Sequence, residues 1–582
     1  MKVMSVPRPA ANSLIDISCS PPERDTAPIG GIQSKSSGQR AGGAGVRCFT
    51  EPLRIQDHAL SARMAGEHSG REVDKPRRSQ SGSIDALTYA TREPSSKLPL
   101  SGYRQTASEE SSTARENTES ARQQFDIGSP TISTSNTDAS VPIFVMMPLD
   151  TVQIDGTLKN EKALTFAFKA LKAIGVTGVM VDVWWGIVER DEPQTYDWRA
   201  YKQLLSIVKN CGLRMQAVMS FHACGPNVGD GVDVPLPIWV REAMKRDPDL
   251  CYGDQWGYRN PECLSLWADN VPNVSGRSPL QCYEDFMESF KEAMGPDIGA
   301  DRVVADCYDN RALLDLASVA SREGHILWGG AGPHDSGGYN DLPLETGFFA
   351  SEGGSWDSEY GHFFLEWYSR CLVEHGDRML AVSQQVFGDL GVQTSIKCAG
   401  VHWWYNSRSH AAELTAGYYN TRAGNYQPTR NGYDAICKLC AKYNAHLNFT
   451  CVEMRDCEHP TEAKCGPEGL LRQVRLTAEK HNVKIAGENA LCRFDREAYD
   501  KIVEHARGGD GLSSLEAFTF LRLMPEFFDE ANFNSFVAFV KRMKEHTGGV
   551  ANVTEKPEGL SEGDKLDLFF SCVENSHWFK AS

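Results

Sequence analysis

The chain has 582 residues, 41% of them hydrophobic, which is enough for one large core together with additional segments. Its formal net charge is −17, and this acidic balance argues against a nucleic-acid backbone as a partner. No run of eighteen or more apolar residues occurs, so the sequence predicts no membrane-spanning helix. The 17 cysteines are scattered, which is typical of free thiols in a reducing compartment.

Residues 1–140 are predicted to be disordered. They are rich in Ser, Gly, Arg, Pro and Thr, and segments such as Ser129–Ser135 have no apolar periodicity. Such a composition cannot bury enough surface to offset the entropy of the chain. The first fifty residues contain only three acidic side chains, Asp16, Glu23 and Asp25, which fits an organellar transit segment. A plain disordered tail is an equal alternative.

From Val141 onwards, short β-branched segments alternate with longer segments of helical apolar spacing. The predicted strands are Pro142–Met147, Gly178–Val183, Met215–Phe221, Ser395–Val401, His446–Thr450, Lys484–Gly487 and Ala517–Leu521. The predicted helices are Lys159–Ile174, Tyr201–Asn210, Tyr360–Phe387, Pro467–Lys480 and Phe533–His546. This alternation indicates a parallel sheet, and the number of units favours an α/β fold of the (β/α)₈ barrel type over residues 141–547. Residues 548–582 are predicted to form a C-terminal tail.

A doubly wound open sheet is the alternative fold. It should carry a glycine-rich phosphate-binding turn after its first strand, but Pro148–Thr151 follows that strand and is no such turn. We therefore predict no cofactor. No His, Cys and Asp set has metal-binding spacing, so no metal is predicted either. The close pair Cys437 and Cys440 lies in the helical segment Tyr433–Tyr443 and is interpreted as two ordinary cysteines.

Polar side chains recur at the carboxyl ends of the predicted strands, whose interiors are apolar. These residues are Asp182, His222, Lys397, His402, Asn448, Thr450, Glu453, Glu488, Asn489 and Arg522. In a barrel those ends converge on one mouth, so together they predict a shared binding site. Each of them alone has another explanation, since it could cap a helix or satisfy a loop amide.

Aromatic residues stand beside these polar ones and suggest a sugar as the ligand. They are Trp184, Trp185, Phe221, Trp403 and Trp404. A sugar ring has apolar faces and a rim of hydroxyls, so it needs flat apolar surfaces together with directional hydrogen bonds. Core packing is the alternative role for each tryptophan, and for Trp404 it is the favoured one.

Glu488 follows Gly487 at the end of an apolar strand, so its carboxylate is expected to be partly buried. A partly buried carboxylate at this position is a candidate general base. A structural glutamate in a salt bridge is an equally good interpretation from spacing alone.

At these residues the sequence resembles the plant beta-amylase family of glycoside hydrolases, from about Val141 to about Thr547. The resemblance is carried by Pro148–Asp150, Val181–Gly186, Ser220–Asp230, Gly332–Asp335, His410–Asn420, Asn448–Met454 and Gly487–Leu491. It implies a (β/α)₈ barrel that hydrolyses α-1,4-glucans such as starch and maltodextrin from the non-reducing end, releasing maltose with inversion. Inversion uses one carboxyl group as acid and another as base.

Carried over by position, the resemblance implies that Glu488 is the general base. The implied sugar-binding residues are Asp182, His222, Asp230, Lys397, His402, Thr450, Asn489, Ala490 and Arg522. It further implies that Gly225–Asp230 is a mobile loop that closes over substrate and that Asn448–Met454 is an inner loop that shifts with it.

Two departures from the family pattern bear on function. Gly225-Pro226 replaces the two glycines usual in the mobile loop, and proline restricts the backbone there. The family motif for the acid, Gly-Pro-x-Gly-Glu-Leu-Arg-Tyr-Pro-Ser, is absent. A few tens of residues, including most of strand four and the acid, are expected to be missing at the Ala305/Asp306 junction.

Three functions are consistent with this pattern. The chain is an incomplete version of an active glucan hydrolase, a non-catalytic relative that binds glucan or regulates other starch enzymes, or a non-functional product. An opened barrel exposes sheet edges, which disfavours the second. The plant resemblance and the N-terminal composition together suggest a chloroplast location, with the cytoplasm as the alternative. The sequence does not indicate an oligomeric state.

Overall fold

The computed structural model describes residues 140–225, 231–294, 309–338, 341–412, 419–422 and 428–545. The predicted N-terminal segment, the C-terminal tail, Asp230 and the Ala305/Asp306 junction lie outside these residues. None of the helices in the described part of the chain has the length and apolar character needed to span a bilayer.

Strands and helices alternate over much of the chain as predicted, with additional short strands and consecutive helices between residues 238 and 430. The strands are β1 (Ile143–Met146), β2 (Gly178–Trp184), β3 (Arg214–Ser220), β4 (Cys251–Gly253), β5 (Arg259–Leu264), β6 (Ser395–Cys398), β7 (Thr421–Arg422), β8 (Pro428–Arg430), β9 (His446–Phe449), β10 (Ile485–Glu488) and β11 (Ala517–Phe520). The helices are α1 (Glu161–Ile174), α2 (Trp185–Val188), α3 (Arg199–Asn210), α4 (Ile238–Arg246), α5 (Pro279–Met294), α6 (Asn310–Arg322), α7 (Glu359–Phe387), α8 (Tyr433–Lys442), α9 (Pro467–Lys480), α10 (Arg496–Ala506) and α11 (Glu530–Lys544).

Helix boundaries follow from local capping chemistry. The Asn160 side chain accepts a hydrogen bond from the Ala163 amide at the start of α1, and Gly175 ends that helix with φ of 96°. Asp309 caps α6 by accepting from the Arg311 and Ala312 amides. These caps satisfy backbone groups that a helix terminus leaves without partners.

Seven strands form one parallel sheet in the order β3-β2-β1-β11-β10-β9-β6. The last strand of the sheet in chain order, β11, pairs with the first, β1, as the last and first strands of a barrel do. Lys397 on β6 brings its Nζ atom to 3.7 Å from the Sδ atom of Met180 on β2, although four strands separate β6 from β2 in the sheet. The sheet is therefore curled, which confirms the barrel type of fold and excludes the doubly wound alternative.

The curled sheet is open between β3 and β6. Among the described residues no strand pairs with the outer edge of either one, and this is where the missing fourth strand is expected. Gln216 Oε1 on β3 and Ser395 Oγ on β6 are buried without a hydrogen-bond partner in the described part of the chain. Buried polar atoms are usually paired, so both edge strands have unmet hydrogen-bonding capacity.

The helical layer continues past this opening. Lys291 on α5 donates to the Val386 carbonyl of α7 at 2.6 Å and forms an ion pair with Asp389 at 2.7 Å. Gln385 on α7 donates to Glu284 on α5 at 2.5 Å. The helices on the two sides of the open edge thus contact each other directly.

The main hydrophobic core lies between the sheet and the helices. A second, smaller apolar cluster contains Met146, Met180 and Val218, with Leu521 packed against it. Because Lys397 contacts Met180, this cluster lies inside the curled sheet. Residues two positions further along these strands share the same face, so the cluster forms the floor beneath the strand ends.

Candidate active site

Glu488 is the last residue of β10, and its side chain is 1% exposed. Its Oε1 atom lies 2.7 Å from Lys397 Nζ and accepts a hydrogen bond of 2.9 Å from Asn448 Nδ2. No hydrogen bond from the described residues reaches Oε2. The carboxylate is therefore both buried and ion-paired, so each of the two interpretations of Glu488 captures part of the arrangement.

Lys397, Asn448 and Glu488 come from three neighbouring strands. Lys397 and Asn448 are paired in the β6–β9 register, and β9 pairs with β10. The Lys397 side chain is 14% exposed, and its ammonium compensates the buried charge of Glu488. Removal of either partner would leave an uncompensated buried charge, which typically costs about 3–5 kcal/mol.

Asp182 and His222 lie at the carboxyl ends of β2 and β3. Asp182 is 4% exposed and accepts a hydrogen bond of 3.2 Å from Ser220 Oγ. Asp182 shares the inner face of β2 with Met180, which Lys397 contacts from the other side of the curled sheet. The His222 ring lies edge-on to Trp184 with centroids 5.4 Å apart. Because the strands are parallel, these residues and Glu488 lie at the same end of the sheet.

The segment after β10 is held by two buried polar side chains. Asn489 Nδ2 donates to the carbonyls of Leu491 and Leu521, each at 2.7 Å, and Asn489 Oδ1 accepts from the Leu521 amide at 2.8 Å. These three bonds tie the end of β10 to the end of β11. The Asn489 side chain is thus committed to backbone groups, and a contact with sugar there would have to use its backbone.

Glu453 supports the same segment from the inner loop. It is fully buried and accepts hydrogen bonds from the Ala490 amide at 2.9 and 3.0 Å and from the Leu491 amide at 2.8 Å. The Val452 amide in turn donates to the Glu488 carbonyl at 3.1 Å. Burial raises the pKa of Glu453 to about 7. Glu453 is therefore a positioning residue for the strand end that carries Glu488.

Glu453 should make stability depend on pH. Its folded pKa of about 7 lies above its ordinary value of 4.5, so the folded state holds the proton more tightly. The free energy of unfolding is then expected to fall by up to about 3 kcal/mol as pH rises from about 4.5 to about 7. Urea unfolding across this range should show a flatter pH dependence for Glu453→Gln, whereas exposed Glu462→Gln should behave like the wild type. An unchanged slope in Glu453→Gln would contradict this assignment.

Three further predicted site residues follow the carboxyl ends of β9, β11 and β6. Thr450 Oγ1 accepts a hydrogen bond of 2.9 Å from the Gly400 amide, and Arg522 Nη1 lies 3.4 Å from the Met147 carbonyl. His402 follows β6 and is 6% exposed, and burial lowers its pKa to about 3. Of the predicted site residues, Asp230 is the one that falls outside the described part of the chain.

Most of the predicted aromatic sugar platforms are core residues instead. Trp184, Trp185 and Phe221 are at most 3% exposed. Trp185 donates from Nε1 to Glu189 at 2.7 Å, and Phe221 packs against Tyr283 with ring centroids 4.4 Å apart. A stacking role for Trp185 and Phe221 was wrong because helix α5 covers their faces, whereas the Trp184 ring lies against His222. Trp404 is also buried, as the core-packing interpretation predicted, and Trp403 is half-buried.

The structure also brings together residues that the sequence analysis did not select. Ser220 reaches Asp182, and the alternation of β3 could have placed it on the inner face. His402, His459 and Cys465 converge in space. His459 and Cys465 are too far from His402 along the chain, and too irregularly spaced, to match a metal-binding motif.

The curled parallel sheet defines the chain as a barrel protein, and the ion-paired carboxylate at its carboxyl edge marks a candidate site at the mouth. Residues 144–309 and 305–549 match the model of glycosyl hydrolase family 14. The chain belongs to this family, whose members are glycoside hydrolases, and the resemblance noted from the sequence is confirmed.

Curated relatives and a solved structure agree with this family. Beta-amylase 1, chloroplastic, from Arabidopsis thaliana is 46% identical over 445 residues, covering 70% of this chain and 76% of that protein. Beta-amylase 2, chloroplastic, from Oryza sativa subsp. japonica is 47% identical over 456 residues, covering 73% and 80%. The crystal structure of the catalytic domain of beta-amylase from Paenibacillus polymyxa has a TM-score of 0.56 at 25% identity, covering 70% of this chain and 99% of that one.

The family match is divided where the acid motif is absent. Its two segments meet at residues 305–309. The alignment with the Arabidopsis thaliana relative extends over 445 positions, yet it covers only 70% of the 582 residues. Several tens of aligned positions therefore have no counterpart in this chain, in agreement with a missing block of that size.

Proposed function

We propose that the mouth of this barrel binds α-1,4-glucan and that the complete form of the enzyme releases maltose from non-reducing ends with inversion. The observation that carries this proposal is the buried Glu488 carboxylate, held by Lys397 and Asn448 at the carboxyl edge of a family 14 barrel. The relatives named chloroplastic support a chloroplast location for this activity.

Glu488 is suited to act as the general base. Lys397 and Asn448 both occupy Oε1, so Oε2 is the oxygen that accepts a proton from the attacking water. The water then attacks the anomeric carbon from the face opposite the leaving group, which inverts the configuration. A separate acid must protonate the departing glycosidic oxygen, because a sugar alkoxide is a poor leaving group. The motif that supplies this acid in the family is absent, so the chain as written has the base without the acid.

The other proposed sugar-binding residues are those that the family resemblance implies. They are Asp182, His222, Asp230, Lys397, His402, Thr450, Asn489, Ala490 and Arg522. Carboxylate, imidazole, ammonium and guanidinium groups provide directional hydrogen bonds, and those with a charge are about twice as strong as neutral ones.

Asp182→Asn should weaken maltotetraose binding by about tenfold to a hundredfold, because a hydrogen bond to a charged group contributes roughly 1.5–3 kcal/mol. Isothermal titration calorimetry on the purified chain measures this directly. The matched control is Asp377→Asn, which removes the same charge from the outer face of α7, where Asp377 pairs with Lys442. An Asp182→Asn variant that binds as tightly as the control would contradict the proposed site.

A non-catalytic glucan-binding or regulatory role is the second candidate, and the absent acid motif is the observation that favours it. The two candidates predict different outcomes when the missing segment is returned to the chain. A hydrolase interrupted by a deletion regains maltose release, whereas a dedicated binding protein keeps its affinity and gains no turnover.

A further inference from the structure

Three metal-binding side chains converge beside the mouth. His402, His459 and Cys465 each offer one ligand atom, and these atoms lie within 4.8 Å of one another. The two imidazole rings have centroids 4.8 Å apart. We propose that these three residues form a zinc site.

Each of the two histidines has a ring nitrogen that is free to take a ligand in the described structure. His402 Nδ1 and His459 Nε2 are buried and have no hydrogen-bond partner among the described residues. A buried polar atom without a partner is destabilising, and a bound metal ion would give it one. The Cys465 thiol is buried and makes a weak 3.7 Å hydrogen bond to the Ala463 carbonyl.

Backbone hydrogen bonds hold the two segments that carry His402 and Cys465 together. The Gly466 amide donates to the His402 carbonyl at 3.1 Å, and the Trp404 amide donates to the Ala463 carbonyl at 3.0 Å. Trp404, Ala463 and Cys465 also form a small apolar cluster. Two of the three ligands are thus placed by tertiary structure before any metal arrives, which lowers the entropy lost on binding.

Two imidazoles and a thiolate are ligands that suit zinc and do not suit magnesium or calcium, which prefer oxygen. Tetrahedral zinc holds its nitrogen and sulfur donors about 2.0–2.3 Å away, so the donors stand roughly 3.3–3.7 Å apart. A closure of about 1 Å by side-chain rotation reaches this geometry from the observed separation. When the zinc–sulfur bond forms, the thiol proton leaves to solvent, and water completes the coordination.

Zinc should also oppose glucan binding, and this consequence rests on the proposed function. His402 is one of the proposed sugar-binding residues, so zinc and sugar would compete for its imidazole. The zinc site itself depends on no property of the glucan site.

The test is competition for zinc between the full-length, fully reduced protein and a chromophoric chelator. The wild type is expected to bind one equivalent tightly, and His459→Gln and Cys465→Ser are each expected to weaken that binding at least tenfold. Cys457→Ser is the matched control, because Cys457 is an exposed cysteine close to His459 in the sequence. It should bind zinc like the wild type. Cobalt(II) bound to the wild type should show a thiolate charge-transfer band that Cys465→Ser lacks.

Equal zinc affinity in the wild type and both variants, or no charge-transfer band in the wild type, would overturn the site. Circular dichroism on each variant separates a lost ligand from a lost fold, and the cobalt spectrum of the wild type tests the site without any variant. Maltose titrations with and without zinc keep the two proposals apart. Zinc binding that leaves maltose affinity unchanged refutes the competition alone, whereas a wild type without maltose affinity refutes the proposed function.

Discussion

Purified protein of this sequence is expected to release little or no maltose from soluble starch. Protonation of the leaving oxygen by a positioned acid is typically worth about 10²–10⁴ in rate, and the motif that carries the acid is absent. Glu488 cannot fill both roles, because acid and base act from opposite faces of the ring at roughly 6.5–9.5 Å from each other. A reducing-sugar assay measures the result.

Insertion of a family segment containing Gly-Glu-Leu-Arg between Ala305 and Asp306 should recover activity. The inserted strand can pair with β3 and β6, because each of them is an edge strand of the described sheet. The same insertion with Gln in place of the motif's Glu is the matched control, since it restores the strand without the acid. Maltose release by the original chain at a rate similar to that of the restored chain would mean that another carboxyl group serves as the acid.

Glu488→Gln in the restored chain is expected to lower maltose release by about 10²–10⁴, because an amide cannot accept the proton of the attacking water. The amide oxygen can still accept the Asn448 hydrogen bond, but the Lys397 charge loses its partner, so circular dichroism must first show that the variant is folded. Glu516→Gln is the matched control, since Glu516 pairs with Lys484 at the opposite end of the sheet. Initial rates on soluble starch decide the outcome. A Glu488→Gln variant that retains most of its activity would exclude Glu488 as the base.

The sequence was sufficient to predict the strands of the sheet and the end at which the polar residues gather. Buried parallel strands such as Gly178–Trp184 are largely apolar, and their carboxyl ends must share one edge, so Asp182 and Glu488 could be placed together. The β4–β5 hairpin could not be predicted in the same way. Arg259–Leu264 contains Asn, Pro and Glu without apolar alternation, and tertiary contacts decide its pairing.

Side-chain roles were harder to predict than positions. Sequence spacing does not reveal that the Asn489 amide is consumed by backbone groups of Leu491 and Leu521, which lie on different segments. Nor does it reveal that the helical layer would bury Trp185, or that His459 would meet His402. Each of these outcomes depends on residues that are distant in sequence, and local patterns contain no information about them.

The most direct measurement is the turnover of 2,4-dinitrophenyl α-maltoside by the chain as written. It tests whether the protein keeps a general base and a sugar-binding mouth in the absence of the acid. Dinitrophenolate leaves without protonation, so the missing acid is not needed for this substrate. We predict dinitrophenolate release that Glu488→Gln abolishes, together with negligible maltose release from starch. Failure to turn over the aryl maltoside in a folded protein that binds maltose would contradict a functional base at Glu488.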